Sequence, residues 1–496
     1  MKKEVPAITP ATSETEALPL TGSVGYLALV CLVASLGGLL FGFDTAVISG
    51  TIVRVKEQFQ LTELMEGWFA SSALVGCILG AVTTGFLGDR LGRKALLMAS
   101  AVLFLVSGIA SAVPPDFGAL ILARMVCGLG VGTASVVAPM YISEFAPSKW
   151  RGRLVACYQL SIVVGILLAY LSNWCILRYA LGHEAIAGGN HFLNWIFVRE
   201  YWRGMLGAEV LPATLFLMLL LLVPESPRWL VGARREAAGL RVLARISGAG
   251  EARIEFDAIK SGLHLQERSI LNLPPGLRLA LLVGVMLSVF GQLSGVNIVV
   301  YYGPKILAAA GYHDAGALLG QAGFGLINLL ATLVALAVID RWGRRPLLIG
   351  GMAMVTISLV VIGALFLYGV PDASSQAREG GAIVVSRIVG LSIGVTICFY
   401  VACIALSICA VIWVLTPEIF PNYIRSRAVA IATFANWSTN AFSASVFPWY
   451  VARFGMHMFF FTTAGICLGA TLFFWRYVPE TKGRSLEDIE QMWLKR

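Results

Sequence analysis

Asp44, Arg124 and Glu209 are the ionisable residues that lie well inside otherwise apolar stretches of this 496-residue sequence. An acid within a lipid-soluble run such as LLFGFDTAVISG (39–50) costs roughly 2.5–3.5 kcal/mol to insert, so it needs a partner or a task. One guanidinium and two carboxylates compensate one another in a low-dielectric site. They also leave one negative charge over, which a proton can neutralise. Burial disfavours the charged carboxylate and a neighbouring arginine favours it, which poises Asp44 to take up and release a proton. The alternative is a static ion triad that only fixes helix packing.

A second set of side chains offers neutral hydrogen bonding within apolar surroundings: Gln159, Gln292, Asn297, Tyr301, Asn328, Trp413, Asn436, Trp437 and Asn440. Amides both donate and accept, and indoles add flat apolar faces with one N–H. That mixture suits a neutral polyol such as a pyranose, whereas a charged ligand would want a fixed countercharge. For any one amide, satisfaction by a neighbouring helix is the competing explanation.

The elements that must position these groups follow from composition. The chain is 58% hydrophobic and 13% charged, with a net charge of +9, while ordinary soluble domains carry about 25% charged residues. The expected class is an all-α integral membrane protein. Twelve spans are predicted at about 24–50, 67–88, 95–113, 117–141, 154–175, 204–223, 277–301, 316–339, 346–368, 382–415, 428–449 and 456–478. Closely spaced spans leave ten or eleven as alternatives. At 1.5 Å per residue, Asp44, Arg124 and Glu209 all fall about 8–11 Å below one membrane boundary.

Residues 1–23 show no signal-peptide cleavage pattern, so the first span is expected to stay in the mature protein. Most of the 37 Lys and Arg fall in segments on one side, which places both tails in the cytosol. Topology thus accounts for the positive charge, and no nucleic-acid partner is implied. The nine cysteines lie within or at the ends of spans and read as packing residues. Neither they nor the five histidines show metal-ligand spacing, and no cofactor is called for. GLGVGTA (128–134) lies in an apolar span with no preceding strand, so its glycines predict close helix packing rather than a dinucleotide site.

The chain also repeats itself. GFLGDRLGRK (85–94) returns as AVIDRWGRR (337–345), EFAPSKWRGR (144–153) as EIFPNYIRSR (418–427), and PESPRW (224–229) more weakly as PETKGRS (479–485). All six copies fall on the cytosolic side. The implied organisation is a tail (1–23), a six-helix bundle (24–223), a linker with short helices (224–276), a second bundle (277–478) and a tail (479–496). Asp89, Arg90, Arg93, Glu144, Arg151, Glu225 and Arg228, with Asp340, Arg341, Arg344, Glu418, Arg425 and Glu480, form a candidate charge network. It would join helix ends in one state and release them in another; simple topology anchors are the alternative.

The motifs GDRLGRK, DRWGRR, PMYISE (139–144), RGRL (151–154), PESPRW, GVNIVVYY (295–302), WVLTPEIFP (413–421) and PETKGRSLEDIE (479–490) run in order over nearly the whole chain. In them the sequence resembles the sugar porter family of the major facilitator superfamily, most closely its bacterial D-xylose–proton symporters. The resemblance implies twelve helices in two pseudo-symmetric bundles, alternating access, and proton-coupled carriage of a neutral pentose or hexose in a cytoplasmic membrane, by a monomer. Asp44 falls where proton-coupled members carry an aspartate, with Arg124 and Glu209 around it. Gln159, Gln292, Asn297, Asn328, Trp413, Asn436 and Trp437 fall on sugar-contacting positions. Two departures stand out: Gly291 replaces the first of two glutamines, and Cys409-Ala410 replaces a Gly-Pro, whose loss predicts a stiffer tenth helix. A passive sugar uniporter and a transporter-like sugar sensor are the rival functions. A membrane-embedded enzyme lacks a recognisable catalytic set.

Overall fold

The computed structural model describes residues 22–147, 150–183, 191–262, 274–369, 386–421, 424–482 and 486–494. Most of the expected N-terminal tail, the end of the expected linker and parts of the C-terminal tail lie outside the described residues. Among those described, all regular structure is helical.

Among the described residues, eleven helices are long and apolar enough to cross a membrane. They comprise α1 (Val24–Gly50), α2 (Glu63–Leu91), α3 (Arg93–Ala112), α4 (Phe117–Phe145), α5 (Arg151–His183), α6 (Tyr201–Leu222), α7 (Pro275–Ala309), α8 (Asp314–Trp342), α9 (Arg344–Gly369) and α10 (Arg387–Thr416). The last, Arg425–Tyr477, is broken at Gly455, whose φ of 82° no helix tolerates. It therefore counts as two spans, α11 (425–454) and α12 (456–477), and the total is twelve.

Local chemistry explains several boundaries. Thr62 and Asp116 cap α2 and α4 with their side-chain oxygens, accepting from Met65 N and Ala119 N. Gly92 and Gly343 each take φ 91° between consecutive spans, a conformation glycine reaches without strain, and so reverse the chain in the two DR-x-GR motifs. Short helices follow α6 at Pro227–Gly232, Glu236–Ser247 and Ala249–Gly262. A final helix, Leu486–Leu494, packs its Trp493 carbonyl where a Cβ on Gly276 would stand, 1.8 Å away.

Within the first half, glycines let helices touch backbone to backbone. A Cβ at Gly128 or Gly132 of α4 would lie 1.9 and 2.2 Å from carbonyl oxygens of α2, and one at Gly42 of α1 would lie 1.9 Å from Ile162 O of α5. The GLGVGTA run is thus a packing stripe, as its position predicts. These contacts pack α4, which carries Arg124, against α2, and α1, which carries Asp44, against α5.

Candidate functional site

The three expected charges meet. Asp44, Arg124 and Glu209 are each 2% exposed. Arg124 Nη1 donates to Asp44 Oδ1, and Nη2 reaches Oδ2 at 3.4 Å, a forked pairing that suits a planar guanidinium. Glu209 is held otherwise. The Cys127 thiol, one turn along α4 from Arg124, donates to Glu209 Oε1 at 3.4 Å. Oxygens of Asp44 and Glu209 and the Cys127 sulfur all lie within 4.8 Å of one another. Asp44 thus pairs with the guanidinium in a site closed to water, while the Glu209 carboxyl bonds the Cys127 thiol. Glu209 stands at a break: Ala208 and Glu209 form a turn between Tyr201–Gly207 and Val210–Leu222.

Across the seam, the amide set forms a chain in the second half. Asn297 Nδ2 donates to Gln292 Oε1 at 2.6 Å, and Gln292 Nε2 donates to Asn436 Oδ1 at 2.8 Å. Tyr301 and Asn440 pair at 3.0 Å. Trp437 is buried, meets Phe41 of α1 in a tilted ring contact with centroids 5.5 Å apart, and keeps its Nε1–H without an acceptor. Trp413 behaves differently: it is 47% exposed and lines an open pocket with Ser288, Ile412, Thr416, Ala432 and Asn436. The cavity is small, about 90 Å³, below the roughly 300–1,000 Å³ usual for small-molecule sites. Gln159 on α5 and Asn328 on α8 are half-buried, outside the Gln292–Asn436 chain.

Two helices beside this pocket are irregular. In α7, Ser294 and Gly295 (φ 88°) separate Pro275–Leu293 from Val296–Ala309. In α10, a wide turn at Ala405–Cys409 precedes Trp413. That corrects the expectation of a stiffer tenth helix: the irregular turn sits immediately before Ala410 without any proline there. Wide turns of this kind gather at functional sites because they free backbone groups and re-aim side chains.

The charged motifs build two matching cradles on one face. Glu225 accepts from the backbone N–H of Arg93 (2.9 Å) and Lys94 (3.1 Å), and Glu480 accepts from Arg344 (3.1 Å) and Arg345 (3.0 Å). Each carboxylate thus caps the N-terminus of α3 or α9, where the helix dipole favours negative charge. Arg93 bonds Asp89 and Glu144 at 3.2 Å each, and Arg344 bonds Asp340 at 2.9 Å and Glu418 at 3.1 Å. Ser226 donates to Glu144 and Thr481 to Glu418, completing the correspondence. Arg425 turns to the Phe420 carbonyl. Arg90, Arg151, Arg228 and Arg341 are exposed at the rims.

The opposite face is closed by contacts between the halves. Glu66 of α2, fully buried, accepts from Lys305 of α7 at 2.5 Å and from Lys56 at 2.7 Å. Ser445 of α11 donates to Ser71 of α2 at 2.6 Å, and a Cβ on Gly67 would lie 2.0 Å from the Ser445 carbonyl oxygen. Tyr170 of α5 donates to Val300 O of α7 at 3.2 Å. The pocket, by contrast, is lined by Thr416 and Val429 near the charged-turn face. The molecule is therefore shut on one side, with its pocket set toward the other.

Sequence reasoning missed Cys127, Glu66, Lys56 and Lys305. A carboxylate in a first helical turn is ordinary, and Glu66 meets Lys305 across 239 positions, so only folding shows the pair.

Comparison with known proteins agrees with this geometry. The family profile "Sugar (and other) transporter" matches residues 30–493. The chain is 35% identical to the arabinose-proton symporter of Bacillus subtilis (strain 168), covering 95% of this chain and 96% of that one. It is 37% identical to the D-xylose-proton symporter of Escherichia coli (strain K12), covering 94% and 96%. Among solved structures, a partially occluded inward-open conformation of the xylose transporter XylE from E. coli superposes with a TM-score of 0.76 at 35% identity, covering 93% of this chain and 100% of that one. The proton:xylose symporter XylE bound to 6-bromo-6-deoxy-D-glucose gives 0.72 at 36% identity, covering 95% and 99%.

Proposed function

Because this chain belongs to the sugar porter family of the major facilitator superfamily, we propose that it is a proton-coupled symporter of a neutral, xylose-like monosaccharide, working by alternating access. The observation that carries this reading is the buried Asp44–Arg124 pair with Glu209 beside it, one guanidinium and two carboxyl groups. Asp44 is the proton acceptor. Arg124 holds its carboxylate while it is charged, and Glu209, bonded to Cys127, is the second acid beside it. The amide chain that would hold the sugar is Gln292, Asn297 and Asn436, with the Tyr301–Asn440 pair on the same helices, Trp413 and Trp437 as apolar faces and Gln159 and Asn328 from α5 and α8.

In the cycle, proton and sugar load from outside, the halves rock, and both leave toward the cytosol. The two cradles belong on the cytosolic face, with both tails, in accord with the positive-inside rule. The Lys56–Glu66–Lys305 cluster then closes the outer mouth, so the structure is inward-facing. The two rocking bodies are residues 24–223 and 277–478, joined by the 224–276 linker, and the monomer is the working unit in a cytoplasmic membrane. One proton moving through 100 mV releases about 2.3 kcal/mol, enough to concentrate a neutral sugar roughly fiftyfold. The test is sugar addition to weakly buffered, energy-depleted vesicles with external pH recorded. Alkalinisation on adding a transported sugar is expected. Uptake without any pH change, and insensitive to a protonophore, would instead make the chain a passive uniporter.

A further inference from the structure

One wall of the pocket is unlike the others. Ser288, Gly291 and Gln292 share a face of α7 at spacings of three and four. Ser288 lines the pocket, and Gln292 is drawn into hydrogen bonds with Asn297 and Asn436. Gly291 presents nothing. A Cβ there would lie 2.4 Å from Ile412 Cδ1 and 3.7 Å from Ile408 Cδ1, so two isoleucines of α10 occupy the space that a side chain at 291 would take. Ile412 is 7% exposed and lines the pocket beside Trp413. The site thus has an amide side, Gln292 with Asn436, and an apolar side at the α7–α10 seam built by Ile412.

We infer that Gly291 and Ile412 together set the sugar selectivity: the ring position that faces the α7–α10 seam meets a methyl group, so a hydroxyl there is not recognised. This rests on the sugar-carrying reading above and deepens it. A site that hydrogen-bonds a hydroxyl rejects the analogue lacking it, because its own polar groups are then left unpaired; an apolar wall loses nothing. The chain therefore accepts a substrate deoxygenated at that one position as readily as the parent sugar. At the positions facing Gln292 and Asn436 it discriminates.

The test is competitive uptake in proteoliposomes with D-xylose, L-arabinose, D-glucose and D-galactose and the monodeoxy analogues of whichever is carried best. In the native chain one analogue should compete within about threefold of its parent, while the others fall about tenfold or more behind. In G291Q/I412A, which makes room for an amide, that same analogue should fall about tenfold behind as well. Ile412→Ala alone, which opens the space without an amide, should keep the native indifference. If every monodeoxy analogue falls tenfold behind in the native chain, or the double variant leaves the ratio unchanged, the inference is overturned. Should the double variant fail to fold, the native ratios decide. Uptake of none of the four parent sugars would overturn the proposed function instead, so the two failures are distinguishable.

Discussion

Asp44 and Arg124 leave little room for substitution, since removing one partner strands the other charge in a closed, low-dielectric site. Arg124→Ala should destabilise the fold by about 3–5 kcal/mol, read as thermal unfolding in detergent, and adding Asp44→Asn should recover part of the loss. Asp44→Asn alone separates a coupling acid from a packing triad: it should abolish uphill accumulation yet leave exchange of labelled sugar intact. Accumulation at the native level would remove Asp44 from the coupling step. Much of this centre was legible in the sequence, because a charge within an apolar segment needs a reason to be there. Cys127 was not legible, since a thiol among apolar residues reads as packing until its sulfur is found 3.4 Å from Glu209. Trp413 and Trp437 looked equivalent in the sequence and differ in burial, because one lines the pocket and the other packs at a tilt against Phe41 across the seam.

At the scale of the helix, the two glycine reversals and their capping glutamates are the repeated device. The motif pairs announced them, because Gly, Arg and Glu recur in one order. What the sequence did not disclose is the partner choice, in which Glu225 and Glu480 bind backbone N–H groups rather than arginine side chains. Burial pushes the Glu480 carboxyl up, but the N–H groups of Lys482, Arg344, Arg345 and Thr481 outweigh it and hold it below the usual carboxylate range. A depressed folded value means that Glu480 stabilises docking of the C-terminal segment above its unfolded value of about 4.3. That contribution is lost as pH falls through the folded value. Proteolysis of the segment should therefore accelerate below about pH 4, and Glu480→Gln should flatten that dependence. Gly343→Ala should weaken the same cradle at every pH. Its Cβ would lie 2.7 Å from Glu480 Oε2, and φ 91° is a strained conformation for alanine. The wide turn in α10 lies in a stretch with no glycine or proline from Leu391 to Thr416 apart from Gly394, so no local breaker marks it.

For the whole molecule, the cradles belong to each half separately, whereas closure of the opposite mouth depends on contacts that the internal repeat does not duplicate. Ser71 and Ser445 bring their oxygens within 2.6 Å across the two bodies. Replacing both with cysteine should permit a disulfide that stops transport and is reversed by reductant, since the two halves would be stapled together at that mouth. Full transport after verified cross-linking would show that this mouth need not open. Gly67 beside them carries a further implication. Its missing side chain is what lets two backbones meet at the Ser445 carbonyl, so a tryptophan at 67 acts as a wedge in a door that has no clearance. A carrier jammed in that posture still admits its cargo from outside and cannot pass it on, and so a pump becomes a receptor.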